Sequence, residues 1–462
     1  MNAHDRKPRL SPARRFALDS LLAPRRASIH LEDLLRAGLP SASLGDDDRR
    51  LAFELAVGAV KRRATLKHLV CATSGVPRSR IQKKVLVNLE LAFYQLLFLD
   101  RVPPYAAVSE SVELAKRWGA RPARFTNAVL RSFADSFTRE ADRGPLETDP
   151  RTLPVSRTTC VRFRDPVFAD PGVALVEHLS QVYSLPPWLL SRWVERFSER
   201  VARDLALCAN DPPPLFVRID PRTAEPSSVR AFLSEGGAAF EETQRPDTLL
   251  LERGFDLSAL VSRSGLFVQD LSSMEVVDAL DVEPSHRVLD LCAAPGAKSA
   301  QIASALGPEG FLLAVDVDER KLPLIRENLA KTRLKAWETL AADGRRLPSL
   351  VEAKFDRVLL DAPCTNTGVL RRRAEARWRA GDKALRSLVS LQRELLAAAW
   401  RMVAPLGRLV YSTCSLEREE NEDASRDFLR AAPEAKLLHE RVCLPAWRGP
   451  DGGYYAVIER SG

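Results

Sequence analysis

The chain has 462 residues, 45% of them hydrophobic, and a net charge of +8. That length fits two to four domains of roughly 100–200 residues each, with ordinary globular cores. The longest clean apolar run, "LAFYQLLFL" (91–99), falls short of the about 20 residues that a membrane helix needs. The basic N-terminus "MNAHDRKPRLSPARR" lacks the apolar segment of a secretory signal. Seven cysteines, at 71, 160, 208, 292, 364, 414 and 443, are widely spaced and form no C-x-x-C pair, and the six histidines are scattered. That pattern argues against a disulfide framework, a zinc ribbon or any other metal centre, and predicts reduced thiols in a cytoplasmic protein.

Charge is distributed unevenly. Residues 1–140 hold 25 Lys/Arg and 14 Asp/Glu, so the N-terminal third carries +11 and the remainder −3. A polyanion partner is the natural reading; a solvated basic surface is the plain one.

In chain order, residues 10–140 read as helical. "DRRLAFELAVGAVKRRATLKHLV" (48–70) places Leu51, Leu55, Ala59, Leu66 and Val70 at helical spacing. Two further helical runs follow, separated at Pro103 and Pro104. This predicts an all-α bundle over 1–140 with cationic patches such as Lys61-Arg62-Arg63. Residues 141–170 read as a linker. Residues 171–283 read as helices followed by a small α+β module, RRM-like in outline. There the helix over 184–211 is predicted to run on unbroken, followed by strands "PPPLFVRID", "TLLLE" and "GLFVQD".

From 284 to 462 the pattern becomes strand, turn, helix, repeated, which predicts a doubly wound parallel α/β sheet. Ligands of such sheets bind at the carboxyl ends of the strands. Five predicted strand ends carry polar or reactive residues: Asp290 to Gly296, Asp316, Asp343, Asp361 to Cys364, and Ser412 to Cys414. The loop "DLCAAPGAKS" lacks both G-x-G-x-x-G and the P-loop pattern, yet its small residues admit close backbone approach. With Asp316 placed to accept from a ribose, a nucleoside cofactor without pyrophosphate fits, and S-adenosylmethionine is the candidate.

A free cysteine is more often a small buried hydrophobe than a nucleophile. That reading serves Cys71, Cys160, Cys208 and Cys443. Cys364, in "DAPC", and Cys414, in "STC", lie instead at neighbouring strand ends beside the cofactor loop. C5 methylation of a pyrimidine would use such a pair. A thiolate adding to C6 makes C5 enamine-like; after methyl transfer the C5 proton leaves and the thiol is expelled. Asp361 is placed to stabilise the adduct through N3.

The motifs "DLCAAPGAKS", "DAPCTNTGVLRRR" and "YSTCSLEREENE" resemble the RNA cytosine-C5 methyltransferases of the RsmB/NOP (Sun) family. "DRRLAFELAVGAVKRR" and "VPPYAAVSESVELAKRWG" resemble the NusB-like domain fused to that family's bacterial Sun/Fmu branch. The resemblance implies a Rossmann-like, class I S-adenosylmethionine-dependent methyltransferase domain over 284–462. It implies Cys414 as nucleophile, Cys364 as the aid to release, and Asp361 on the methionine and cytosine side. The cofactor would lie against Cys292, Ala293, Ala294, Pro295, Gly296, Ala297 and Lys298, with Asp316 on the ribose and Asp343 near the adenine. The implied substrate is 16S ribosomal RNA, free or early in assembly, with cytosine 967 as the family target. The basic N-terminal domain would contact the RNA backbone, and the protein would act as a monomer with no membrane partner and no metal. The alternative is a NusB-like RNA-binding or ribosome-assembly factor with little catalysis. Ala297, Ser299, Asn366 and Asp220 depart from the family pattern; Asn366 is tolerable there if its φ is positive, and Asp220 is expected on the RNA side.

Overall fold

A computed structural model describes residues 10–23, 31–40, 42–141, 149–252, 260 and 262–461. The basic stretch 1–9 and residues 142–148, near the start of the expected linker, lie outside the described residues. The chain divides into two compact units, residues 1–211 and 212–462.

The first unit is mainly helical. Helix Lys83–Phe98 is apolar almost all round and buried over most of Val85–Leu97, so it forms the centre of the bundle. The charge run 61–63 is not the cationic patch its sequence predicts. Lys61 Nζ donates to the carbonyls of Asn210 and Asp211, at 3.1 and 3.0 Å. Arg62 is buried, lies over the Phe98 ring and has its pKa pushed down to about 10 by burial. Only Arg63 of the three is exposed. Long cationic side chains bury their stems wherever carbonyls and rings accept them.

Two differences from the sequence reading follow. The end of the expected all-α bundle and the expected linker carry strands: β1 (Phe137–Ala141) at the close of the first, and β2 (Thr152–Pro154) and β3 (Thr159–Phe163) within the second, form an antiparallel sheet in the order β1-β3-β2. The single helix expected over 184–211 is two, Pro187–Phe197 and Glu199–Cys208, broken at Ser198 with φ 91°. A left-handed residue cannot continue a right-handed helix.

The second unit opens with a four-stranded antiparallel sheet of β4 (Leu215–Ile219), β5 (Phe240–Glu242), β6 (Thr248–Leu251) and β7 (Leu266–Val268), in the order β5-β6-β4-β7. Helix Pro226–Glu235 lies between β4 and β5 in sequence.

The main sheet has seven strands. They are β8 (Arg287–Leu291), β9 (Phe311–Asp316), β10 (Trp337–Ala341), β11 (Phe355–Asp361), β12 (Val403–Thr413), β13 (Ala435–Cys443) and β14 (Gly453–Arg460), in the order β10-β9-β8-β11-β12-β14-β13. The pairs from β10 through β12 are parallel, while β14 joins β12, and β13 joins β14, antiparallel. The sheet is therefore mixed rather than all parallel. Alternate residues feed two cores. Leu289, Leu291, Leu360 and Leu409 face one side with the helix Asp382–Met402, and Val288, Leu359 and Val410 face the other with Ile302 and Ile325. Burial on both faces explains the continuous apolar strands. The strand order reverses between β8 and β11, which opens a crevice at their carboxyl ends.

Candidate active site

Register sets the site. β11 and β12 pair with Asp361 opposite Ser412. Ala362 N donates to the Ser412 carbonyl at 2.9 Å, and Ser412 Oγ donates to Asp361 Oδ1 at 2.9 Å. Lys298, in the first turn of helix Ala297–Ala305, reaches across to Asp361 Oδ2 at 2.7 Å. A cation at a helix N-terminus opposes the helix dipole. Burial also presses the Lys298 ammonium toward neutrality, but Asp361 more than offsets this and holds its pKa above the ordinary lysine value.

The loops that continue these strands bring Cys364 and Cys414 together, Sγ to Sγ 3.2 Å. A disulfide would need about 2.05 Å, so both are free thiols. Cys364 is buried and Cys414 half-buried. The hydrogen bond with Cys414, and then burial, push the Cys364 thiol well up. Asn366 adopts φ 61°, as its tolerated replacement of glycine requires. Its Nδ2 donates to the Cys364 carbonyl at 2.7 Å, and its Oδ1 accepts from Cys414 Sγ at 3.2 Å.

A buried polar floor carries both loops. Glu420 accepts from Thr365 N at 2.9 Å, from Thr365 Oγ1 at 2.5 Å and from Gln392 Nε2 at 3.1 Å, while its carbonyl accepts from Tyr411 OH at 2.6 Å. Burial raises the Glu420 carboxyl even against these donors. Ser415 Oγ lies 3.1 Å from Thr365 Oγ1 and 3.2 Å from Thr367 Oγ1. Gly368 N donates to the Cys414 carbonyl at 3.0 Å, and a Cβ on Gly368 would stand 2.4 Å from the Gly452 carbonyl oxygen. Only glycine permits that approach.

The β8–β9 side is different in chemistry. Cys292 has φ 62° and Gly296 φ 101°; a Cβ on Gly296 would lie 2.8 Å from Ile325 Cα. Asp316 accepts from Ala294 N at 3.1 Å and from Asp318 N at 2.9 Å, so its carboxylate shapes the loop. Asp290 is fully buried; Ser299 Oγ donates to its Oδ2 at 2.5 Å, and Oδ1 has no partner. Burial raises its pKa to about 7. Ser299 thus supplies the hydroxyl that reaches this buried carboxylate. Asp343 is held below the usual carboxylate range by Arg345, whose guanidinium lies 2.6 Å away. Burial and the surrounding Asp316, Asp361, Asp290 and Asp343 push the Cys292 thiol far up, so it stays neutral. Four carboxylates along one edge, one with an unpartnered oxygen, suit a ligand that bears a sulfonium, an ammonium and ribose hydroxyls. S-adenosylmethionine is such a ligand, so the residues fit it.

Sequence reasoning singled out neither Glu420 nor Gln392, and passed over the first turn's Ser299 as a hydrogen-bond donor. Asp220, expected on the RNA side, is buried and accepts from Arg222 N, Thr223 Oγ1 and Ser304 Oγ at 3.0–3.1 Å. It ties the small sheet to helix Ala297–Ala305. Arg371 and Arg372 in "LRRR" also turn inward, onto Asp451 and, for Arg372, Asp270 as well.

Three family models match the chain: 16S rRNA methyltransferase RsmB/F over residues 277–448, the NusB family over 11–135, and the RsmF/B-like ferredoxin-like domain over 185–258. Ribosomal RNA small subunit methyltransferase B of Vibrio cholerae is 30% identical over 445 residues, covering 94% of each chain. That of Klebsiella pneumoniae is 32% identical over 433 residues, covering 90% of this chain and 91% of its own. Among solved structures, the crystal structure of PH0851 superposes with a TM-score of 0.74 at 22% identity over 98% of both chains, a likeness of fold. Fold and site define an S-adenosylmethionine-dependent methyltransferase that carries a helical NusB domain. Within that class, the chain belongs to the RsmB/F family of 16S rRNA methyltransferases.

Proposed function

We propose that the enzyme methylates C5 of a cytosine in 16S ribosomal RNA through a covalent adduct between Cys414 and C6. The observation that carries this is the pair of free thiols 3.2 Å apart beyond the carboxyl ends of β11 and β12, one half-exposed and one buried. Cys414 is the thiol that substrate can reach. Its Sγ, as the thiolate, bonds to C6; the C5–C6 π pair becomes a C4–C5 double bond and the C4–N3 π pair moves onto N3, which takes a proton, so that C5 becomes an enamine carbon. Asp361, oriented by Lys298 and Ser412, faces the N3 and N4 edge and stabilises the adduct. S-adenosylmethionine, when bound, supplies an electrophilic methyl group. Asp316 accepts from its ribose, the loop Cys292 to Lys298 backs its methionine end, and Asp343 lies near its adenine. Release needs the C5 proton removed and the Sγ–C6 bond broken, with the electron pair returning to Cys414. Cys364, neutral and adjacent, assists that step.

The exposed cations Arg63, Arg78, Arg80, Lys83, Arg121 and Arg124 of the N-terminal unit are the side chains for phosphate contacts. Such contacts position RNA without reading its sequence. The reacting base must be unstacked or single-stranded, which fits free or early-assembly rRNA, and we place the enzyme in the cytoplasm, acting as a monomer. The family target, cytosine 967, is the site expected to be modified. Bisulfite sequencing of 16S rRNA from a deletion strain tests this reading. One protected cytosine should disappear, and return with the parent gene but not with Cys414→Ala. An unchanged protection map would overturn it.

A further inference from the structure

The hydrogen bonds around Asn366 settle a direction that the sulfur–sulfur contact leaves open. Asn366 Nδ2 lies 2.7 Å from the Cys364 carbonyl, which only accepts, so the amide group must face it with its NH2. Its Oδ1 is then the atom 3.2 Å from Cys414 Sγ. A side-chain amide oxygen cannot donate, so the Cys414 S–H points at it. A thiol has one proton. With that proton spent on Asn366, Cys414 can only accept in the 3.2 Å contact with Cys364, and Cys364 must donate.

We propose that Asn366 is a positioning residue for the two-thiol site: its Oδ1 accepts the Cys414 S–H hydrogen bond and thereby makes Cys364 the donor to Cys414. The proposal rests, for its role in catalysis, on Cys414 being the attacking thiol. Two features of the loop make Asn366 suited to this task. Its positive φ turns the side chain back over the residue two before it, and asparagine accepts that backbone at small cost. Its amide is anchored at one end by a backbone carbonyl, so the acceptor end cannot rotate away without losing that bond. Glycine at this position would keep the backbone but offer no acceptor. With glycine, the proton order between the sulfurs would be free to reverse. In this chain the buried thiol points its proton at the half-exposed sulfur, and that sulfur points its own at the amide oxygen.

The test uses the full-length protein and iodoacetamide at pH 7.5, with alkylation of each cysteine followed by peptide mass spectrometry. Ionising Cys414 forfeits the hydrogen bond it donates to Asn366, because an accepting oxygen stabilises only the protonated form. Asn366→Gly removes that cost, and Cys414 should alkylate about 2- to 5-fold faster, as expected for the loss of one modest hydrogen bond. Asn366→Asp places a carboxylate against the developing thiolate, and alkylation should slow by at least about 3-fold. Opposite signs separate the proposal from a merely structural role, in which both variants disturb the loop in one direction. A rate for Asn366→Gly equal to or below the parent's would overturn it. Should that variant fail to fold, Asn366→Asp decides alone, and a rate not slower than the parent's rejects the proposal. Alkylation requires neither RNA nor S-adenosylmethionine, so a negative result leaves the covalent reading of Cys414 standing, to be judged by its RNA adduct.

Discussion

The carboxyl edge of the main sheet is two sites made by different means. On the β8–β9 side, Asp290, Asp316 and Asp343 stand at successive strand ends, and backbone N–H groups or hydroxyls hold them. On the β11–β12 side stand two free thiols above a floor of hydroxyls, and the carboxylate in that floor, Glu420, is capped by donors from Thr365 and Gln392. The Lys298–Asp361 pair, 2.7 Å apart, joins the halves. Low-dielectric surroundings strengthen electrostatic interactions. The carboxylate half can therefore hold a cationic ligand. Thiols on both sides are pushed up, for different reasons: Cys292 by burial and then the four aspartates, Cys364 by its hydrogen bond with Cys414 and then burial.

The sharpest way to break this comparison is to remove the sulfurs one at a time. Cys414→Ala should lower methyl transfer by at least about 10³-fold, because nucleophile deletions cost that much or more. Cys364→Ala should instead leave attack intact and slow release. A protein–RNA band that survives denaturing electrophoresis should accumulate. If Cys364→Ala turns over normally and traps nothing, the two thiols do not share the work as proposed.

Next in size is the floor. Glu420→Ala strips partners from Thr365 N and Gln392 Nε2 in a fully buried place, where an unsatisfied polar group costs about 1–3 kcal/mol. We expect a loss of about 2–4 kcal/mol in urea unfolding, within the range of mutations that break a buried network. Methyl transfer should fall more steeply than S-adenosylmethionine binding, since the thiol loops move and the carboxylate half does not. Equal losses in both would show that the halves are one mechanical unit.

The strand ends of β8 to β12 were legible because each apolar run stops at a polar residue, and parallel pairing then brings those ends together. What lay beyond the sequence depended on distant contacts. Glu420 sits in "LEREENE", which has the look of a solvated acidic run, and its donors come from residues 28 and 55 positions earlier. Lys61 reads as surface charge until the carbonyls of Asn210 and Asp211 appear beside it. Strands β13 and β14 escaped notice for a different reason. β13 is an edge strand that is largely exposed, and β14 is a short apolar run, which periodicity alone cannot separate from a helix. The break at Ser198 leaves no mark either, because the apolar period continues across it.

A smaller effect tests the carboxylate half through its buried member. Asp290 ionises near pH 7 when folded, against an ordinary value of 3.8. The folded state therefore binds this proton more tightly than the unfolded chain does. Its stabilising contribution is complete below pH 3.8 and is lost as pH rises through 7, because between those values the unfolded chain carries fewer protons. Asp290→Asn keeps an oxygen for Ser299 and never ionises. Its Tm relative to the parent should rise between pH 4.5 and 7.5, by about 2–4 °C for each kcal/mol recovered. A flat difference across that range would mean that Asp290 is already ionised in the fold.

The smallest effect belongs at the rim, with Asp343. Its carboxylate takes the Arg345 guanidinium at 2.6 Å, but it also accepts from Arg345 N at 3.0 Å, and the second bond survives any change of the Arg345 side chain. Arg345 is 44% exposed and also pairs with Glu394; exposed pairs of this kind contribute little. Arg345→Ala should therefore leave Asp343 in place and ionised at neutral pH, and the calorimetric affinity for S-adenosylmethionine should change by less than about threefold. Asp343→Ala removes the turn's cap together with the charge, and should cost more. If Arg345→Ala weakened binding as much as Asp343→Ala, the ligand would be meeting the guanidinium and not the carboxylate. This end of the edge would then belong to neither half, and the acidic character assigned to the cofactor side would stop at Asp316.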